Sequence, residues 1–197
     1  LPQQITVTGA SVALERAADG SVGVALGGAA PAEQAPGLAA LLDRFDRLVE
    51  APGLSALREV RIAGLTIGFE DARAGRRWTA DGGEALLVLD RRETRLTATL
   101  PILAGGTDVT ILSLSYQSPR GSAEARFSLD VTDAAAADIA SQNPGLSWLA
   151  VLDAPISAQV RSGLDAAGNL APLDAELHIG AGTLAPVPGA APVAFTA

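Results

Sequence analysis

The sequence predicts an α+β fold that is mostly β: a curved antiparallel β meander, a gutter-like sheet, with one amphipathic helix and one or two short helices. Three observations carry this expectation. From Glu84 to Val131 apolar and polar residues alternate with period two between glycine-bearing turns. Where the alternation changes phase elsewhere in the chain, a glycine sits at the change, as at Gly9 and Gly64. One segment, Leu38 to Val49, instead carries the helical period.

In chain order, Ile5 and Val7 share one parity and Val12 and Leu14 the other, with Gly9 as the offset between them. Ala18-Asp19-Gly20 turns the chain into Val22, Val24 and Leu26, which completes a first hairpin. Residues 27–34 shift to Gly, Ala and Pro and lead into the helix. There Leu38, Leu41, Leu42, Phe45, Leu48 and Val49 form one face, Asp43, Arg44, Asp46, Arg47 and Glu50 fill the other, and Pro52-Gly53 ends the run. Docking that apolar face would contribute on the order of 10 kcal/mol before chain entropy is subtracted, so the helix is expected to cover part of a sheet.

Leu57 to Phe69 reads as a strand split at Ala63-Gly64, followed by a charged turn from Glu70 to Arg77 in which Gly75 is suited to positive φ. Trp78 opens the next strand, which Asp81-Gly82-Gly83 is expected to close. In the meander Thr94, Leu96, Ala98 and Leu100 alternate with Arg95, Thr97 and Thr99, and Ala125, Phe127, Leu129 and Val131 with Arg126, Ser128 and Asp130. Between them Val109 and Ile111 hold one parity and Leu112, Leu114 and Tyr116 the other. That strand needs a bulge near Ile111 or must bury both faces. Ala104-Gly105-Gly106 and Ser118-Pro119-Arg120-Gly121 are the connecting turns.

After Val131, Thr132 and Asp133 offer N-cap oxygens to a short alanine-rich helix from Ala134 to Ser141, stopped at Asn143-Pro144. Leu146, Trp148, Leu149, Val151 and Leu152 form an apolar cluster, read as a last helical turn or a buried crossover. Ile156, Ala158 and Val160, the loop 165–169, and Leu173, Ala175, Leu177 and Ile179 make a final hairpin with an outward row of Asp174, Glu176 and His178. Residues 1–184 are expected to form a single β-rich domain. Residues 185–197 read as a Pro/Ala-rich extended tail with at most one edge strand.

Composition narrows the function. The 197 residues are 48% hydrophobic but only 4% aromatic, with a mean hydropathy of +0.29, so Ala, Val, Leu and Ile supply smooth apolar walls rather than ring-recognising pockets. A net charge of −8 and a pI near 4.6 argue against a nucleic-acid partner. All 14 basic residues are Arg, which fits the codon bias of a GC-rich genome. Without Cys there is neither disulfide nor thiolate chemistry. The opening Leu1-Pro2 is what an internal segment would show, its targeting signal lying elsewhere.

Candidate chemistry is sparse. Asp174, Glu176 and His178 alternate on one strand at about 6.6 Å spacing, too far apart for proton transfer unless they lean together and too few for a metal site, so they read as a solvated polar face. No G-x-S-x-G occurs, and the glycine pairs lack the strand-to-helix setting of a phosphate loop. No catalytic residue, metal or cofactor is expected. Arg73, Arg76 and Arg77 with Trp78 form either a solvated hairpin tip or a contact for an anionic headgroup or partner, through guanidinium and stacking interactions.

The order of elements is more telling than any one residue. An N-terminal hairpin, an amphipathic helix, the strand Leu57 to Phe69 with its Gly64 break, the turn carrying Asp71, Gly75, Arg76 and Trp78, a glycine-punctuated meander, and a terminal hairpin with Asp165, Gly168 and Leu173 to Gly182 resemble the periplasmic region of AsmA-like proteins. Within that family the YhdP-type members, relatives of TamB, are the most similar kind. The resemblance implies a segment of a bridge-like lipid-transfer protein of the Gram-negative envelope. Such a segment is periplasmic, anchored to the inner membrane through a part outside this sequence, flanked by neighbouring repeats of the same chain, and shields or conducts phospholipid between the two membranes. It implies an acyl-chain groove formed by Leu96, Ala98, Leu100, Leu112, Leu114, Tyr116, Phe127 and Leu129. A strand of about 10 residues extends roughly 33 Å, against about 15 Å for the acyl region of one leaflet, so the dimensions suit that role. The alternative is a structural module with a closed core that docks other protein segments.

Overall fold

The computed structural model describes residues 2–19, 22–26, 56–72, 75–103, 109–140, 144–186 and 191–196. The expected helix over Leu38 to Val49, the turn Ala104-Gly105-Gly106 and Arg73 lie outside these residues. Among them a curved, open ten-stranded sheet dominates, and the mostly β, α+β class expected from the sequence is the class observed.

The meander is its backbone. Strands β4 (Glu59–Asp71), β5 (Arg76–Leu89), β6 (Glu93–Leu103), β7 (Val109–Pro119) and β8 (Ala125–Ala135) pair antiparallel in sequence order, and β10 (Pro155–Leu164) and β11 (Asp174–Ile179) continue the sheet beyond β8. On the other side β1 (Gln4–Thr8) and β2 (Ser11–Arg16) both run parallel to β4, β1 along Glu59 to Ala63 and β2 along Thr66 to Asp71. The wholly antiparallel expectation is corrected there. β3 (Val22–Leu26) closes the expected hairpin on β2 and forms one edge of the sheet, and β11 forms the other.

The glycines at the parity changes act as expected. Gly9 and Gly64 have left-handed φ values of 69° and 67°, and Gly9 donates its N–H to the Ala63 carbonyl at 3.0 Å. In β5, Gly82 (φ 75°) lies beside Leu65, which pairs with Gly83. A left-handed residue absorbs an offset in register that a side chain would resist, so the three strands shift phase together and keep their apolar rows on one face. This overturns the expectation that Asp81-Gly82-Gly83 ends a strand. It is a bulge inside β5, since one offset glycine bends a chain without reversing it. Gly75 takes positive φ, 63°, at the foot of the charged turn. β7 keeps one register against β6 and β8 from Ile111 to Gln117, with no bulge at Ile111. Ile111 is instead half-buried on the face opposite Leu112.

The alanine-rich segment departs from its expectation. Ala134 and Ala135 stay in β8, paired with Ile156 and Pro155 of β10, so helix α1 (Ala136–Ala140 among the described residues) begins two residues later than expected, and Thr132 and Asp133 do not cap it. Cross-strand pairing outweighs the helix propensity of alanine, which is a fraction of a kcal/mol per residue. A 3-10 helix over Pro144–Val151 follows. Of the expected apolar cluster only Leu149 is fully buried, and Trp148 is 55% exposed. A second sheet, β13-β12-β9, is built from β9 (Leu152–Asp153), β12 (Gly182–Leu184) and β13 (Val193–Phe195), so the C-terminal tail contributes one edge strand.

Buried apolar side chains form two clusters, with Leu65 and Ala80 buried separately on β4 and β5. One cluster joins Ala136, Ala140, Leu149 and Ile156, with Ile139, Leu152 and Ile179 packed against it. The other joins Leu57 and Leu89 with Ile5, Val60 and Leu87.

Candidate apolar site on the sheet face

Register decides which side chains meet. Leu96 of β6 pairs with Tyr116 of β7, and Tyr116 with Phe127 of β8. Ala98 pairs with Leu114, and Leu114 with Leu129. Leu100 pairs with Leu112, and Leu112 with Val131. Residues directly opposite share a face of the sheet, so every groove residue expected from the sequence lies on one continuous surface. β5 and β4 extend it, because Leu87 pairs with Leu96 and Val60, and Ala85 with Ala98 and Ile62. Leu96, Ala98, Leu100, Leu112, Leu114, Tyr116, Phe127 and Leu129 are all half-buried, and none belongs to either buried cluster.

The opposite face is polar along the same strands. Arg95, Gln117 and Arg126 form one rung, Thr97, Ser115 and Ser128 the next, and Thr99, Ser113 and Asp130 a third. These groups satisfy one another: Ser115 and Ser128 share a hydroxyl hydrogen bond of 2.8 Å, Gln117 Nε2 donates to Glu93 at 2.6 Å, and Gln159 Nε2 donates to Asp130. The alternation read from the sequence thus separates a wet face from an apolar one.

The apolar face deepens where β2, β4 and β5 meet the end of β8 and α1. A cavity of about 480 Å³ is lined there by Leu14, Ile67, Phe69, Trp78, Ala80, Leu100, Ile102, Thr110, Leu112, Leu129, Val131, Ala134, Asp138 and Ile139. Three groove residues expected from the sequence, Leu100, Leu112 and Leu129, reach it. The remaining five lie along the same face outside its lining. Leu14, Phe69 and Trp78 form one rung across β2, β4 and β5, with the Phe69 and Trp78 rings stacked at 5.1 Å and 17°.

Two residues further along, the same face turns charged. Arg16, Asp71 and Arg76 stand in register. Asp71 is 1% exposed and accepts from Arg16 at 3.4 Å, while Arg76 pairs with Asp138 of α1. Burial of a carboxylate is tolerated because a guanidinium accompanies it. The apolar surface therefore ends at a rim of paired charges.

The arginine cluster expected as one contact is divided by the pleat. Arg76 and Trp78 share one face of β5, and Trp78 lines the cavity there, whereas Arg77 lies on the other face and pairs with Glu70 at 3.1 Å. Period-two geometry separates neighbours in this way. Trp78 has a second property that sequence does not carry: its Nε1 is buried with no hydrogen-bond partner among the described residues. An indole N–H is a donor only, and leaving one buried and unpaired costs about 1–3 kcal/mol.

The polar row Asp174, Glu176 and His178 lies exposed on β11, opposite Arg161, Gln159 and Ser157. Among the described residues no group of three His, Asp or Glu side chains is placed to hold a metal ion, and no helix is long and apolar enough to cross a membrane. In the hairpin loop beside this row, Asp165 accepts the backbone N–H groups of Asn169 and Ala167, both at 2.9 Å, and Nδ2 of Asn169 at 3.2 Å. The Asn169 amide, then its side chain, hold the Asp165 carboxyl below the usual aspartate range.

Compared with known proteins, the chain matches no family model, no curated protein and no solved structure.

Proposed function

We propose that this chain is a non-catalytic segment of a Gram-negative envelope protein that shields or conducts phospholipid acyl chains along the apolar face of its sheet, between inner and outer membranes. One observation carries the reading. An apolar surface running from Leu96, Tyr116 and Phe127 to the cavity beside Trp78 keeps these three side chains half-buried and outside the two buried clusters. Exposed apolar surface on this scale is costly in water at roughly 25 cal/mol per Å², and a hydrocarbon guest removes that cost without demanding directional contacts. The charged rim of Arg16, Asp71, Arg76 and Asp138 supports the same reading, since an amphiphile needs a polar border at one end of its apolar bed. The periplasmic setting, inner-membrane anchoring and neighbouring repeats belong to the AsmA-like resemblance and are proposed with it.

The test is mass spectrometry of an organic extract of the purified, detergent-free chain. Copurifying phospholipid in near-stoichiometric amount is expected, and a lipid-free extract together with no uptake from phospholipid vesicles would refute the reading. A second reading, a module that docks other protein segments, draws on β11, an edge strand among the described residues, where Leu177 is 48% exposed. It predicts binding of an extended peptide along β11 that is indifferent to substitutions at Leu112 or Leu114.

A further inference from the structure

We propose that β11 is a self-association edge: it pairs antiparallel with β11 of a second copy of this chain, about a two-fold axis at Leu177, and joins the apolar faces of the two copies. The inference stands on the strand edge and does not depend on lipid binding.

Among the described residues the large sheet stops at β11. Gly180 donates its N–H to the Pro155 carbonyl of β10 at 2.8 Å, and Asp174 to Ile179 pair with β10 without a shift of register. Backbone groups alternate in direction along a strand, so the N–H and carbonyl groups of Ala175, Leu177 and Ile179 point away from β10. Every residue from Asp174 to His178 is exposed, and the adjoining Leu173 is 63% exposed. Natural sheets guard such edges with Pro, Lys or a bulge, and β11 has none of these.

Charge and register choose the partner. On its polar face β11 presents Asp174, Glu176 and His178. A second β11 centred on Ala175 would set Asp174 against Glu176, and one centred on Asp174 or Glu176 would set that carboxylate against its own copy. Like charges directly opposite destabilise a sheet. Centring on His178 leaves Glu176 opposite Gly180, without a partner. Centring on Leu177 sets Glu176 against His178 of the second copy, twice over by symmetry, with no like pair. The same register sets Leu177 against its own copy and Ala175 against Ile179. These residues end the apolar face: Ala175 pairs with Val160 and Val160 with Leu129, while Leu177 pairs with Ala158 and Ala158 with Val131. A two-fold axis normal to the sheet keeps both apolar faces on one side, so two gutters become one.

The test is sedimentation equilibrium of the whole chain, freed of lipid, at neutral pH. A reversible dimer of micromolar affinity is expected, as suits a small interface. Ala175→Pro removes an outward N–H, a change that an edge strand tolerates, and should abolish the dimer. His178→Glu should weaken it about tenfold, and adding Glu176→Lys should restore it. The chain has no Cys, so single cysteines report the register. Leu177→Cys should cross-link under mild oxidation, because directly opposed Cα atoms lie about 5.5 Å apart, whereas Ala175→Cys, opposite Ile179, should not. A monomer at every concentration, growth beyond the dimer, a dimer indifferent to Ala175→Pro or His178→Glu, or cross-linking by Ala175→Cys in place of Leu177→Cys would overturn the proposal. A monomer that binds an extended peptide along β11 would overturn it in favour of the docking module. None of these outcomes touches the acyl-shielding reading, whose test is copurifying lipid. Should Ala175→Pro fail to fold, the charge and cysteine variants decide.

Discussion

Two regions of this sheet bury apolar side chains in different ways. At the corner where α1 and the 3-10 helix meet β10, Leu149 and Ile156 are 1% and 0% exposed and packed among alanines that let the helix approach closely. Across the meander, residues of the same chemistry, Leu112, Leu114 and Leu129, remain half-buried. The corner is sealed by protein, whereas these meander residues belong to neither buried cluster among the described residues. If the proposed function holds, stability and guest binding draw on different residues, and each can be perturbed alone.

The largest expected effect lies in the corner. Ile156→Ala should lower stability by about 3 kcal/mol through lost transfer energy and a cavity, seen as a lower denaturant midpoint with an unchanged m-value. Lipid retained per folded molecule should not change, and a parallel loss of lipid would erase the distinction. Next comes Gly163→Ala, about 2 kcal/mol, because a Cβ there collides with the backbone carbonyl oxygen of Ala125 on β8 and neither strand can yield without breaking the pairing. On the meander face Leu114→Gln should cost only about 1 kcal/mol, since the side chain is half-buried, yet it should cut copurifying lipid by roughly half or more. A stability loss as large as that of Ile156→Ala would mean that the face is a closed core. On the polar face Ser115→Ala should change stability by no more than about 0.5 kcal/mol and lipid content not at all.

The smallest effect concerns the hairpin loop. The folded-state carboxyl of Asp165 titrates below its unfolded value, so its contribution is complete above the usual aspartate range and is lost as pH falls through the depressed value. The protection of the Ala167 and Asn169 amides, exchange measured relative to the intrinsic rate at each pH, should fall in acid in wild type, and Asp165→Asn should remove that change in protection. Unchanged protection in wild type would show that the carboxylate does not hold the loop.

Much of the fold is legible in the residues. Alternation placed Leu96, Leu114 and Phe127 on one parity each, and the phase changes at Gly9 and Gly64 marked the bulges. Errors arose where a local signal competed with a distant partner. Asp81-Gly82-Gly83 has the composition of a turn, but Leu65 pairs with Gly83 and β5 runs on. Ala134 and Ala135 favour helix, but β10 claims them as strand. The parallel pairing of β1 and β2 with β4 joins residues about fifty positions apart and leaves no periodic trace in either segment.

The same division runs through the candidate site. By itself the sequence determined that one side of each meander strand is apolar and the other polar, because period two is a property of the extended chain and of no particular neighbour. Only the tertiary structure decided that those rows line up across β2 and β4 to β8, that Arg76 turns toward Asp138 while Arg77 turns away, and that Trp78 Nε1 is buried without an acceptor among the described residues. Register, ion pairing and desolvation depend on which residues meet across the fold, and that is set by the free energy of the assembled sheet as a whole.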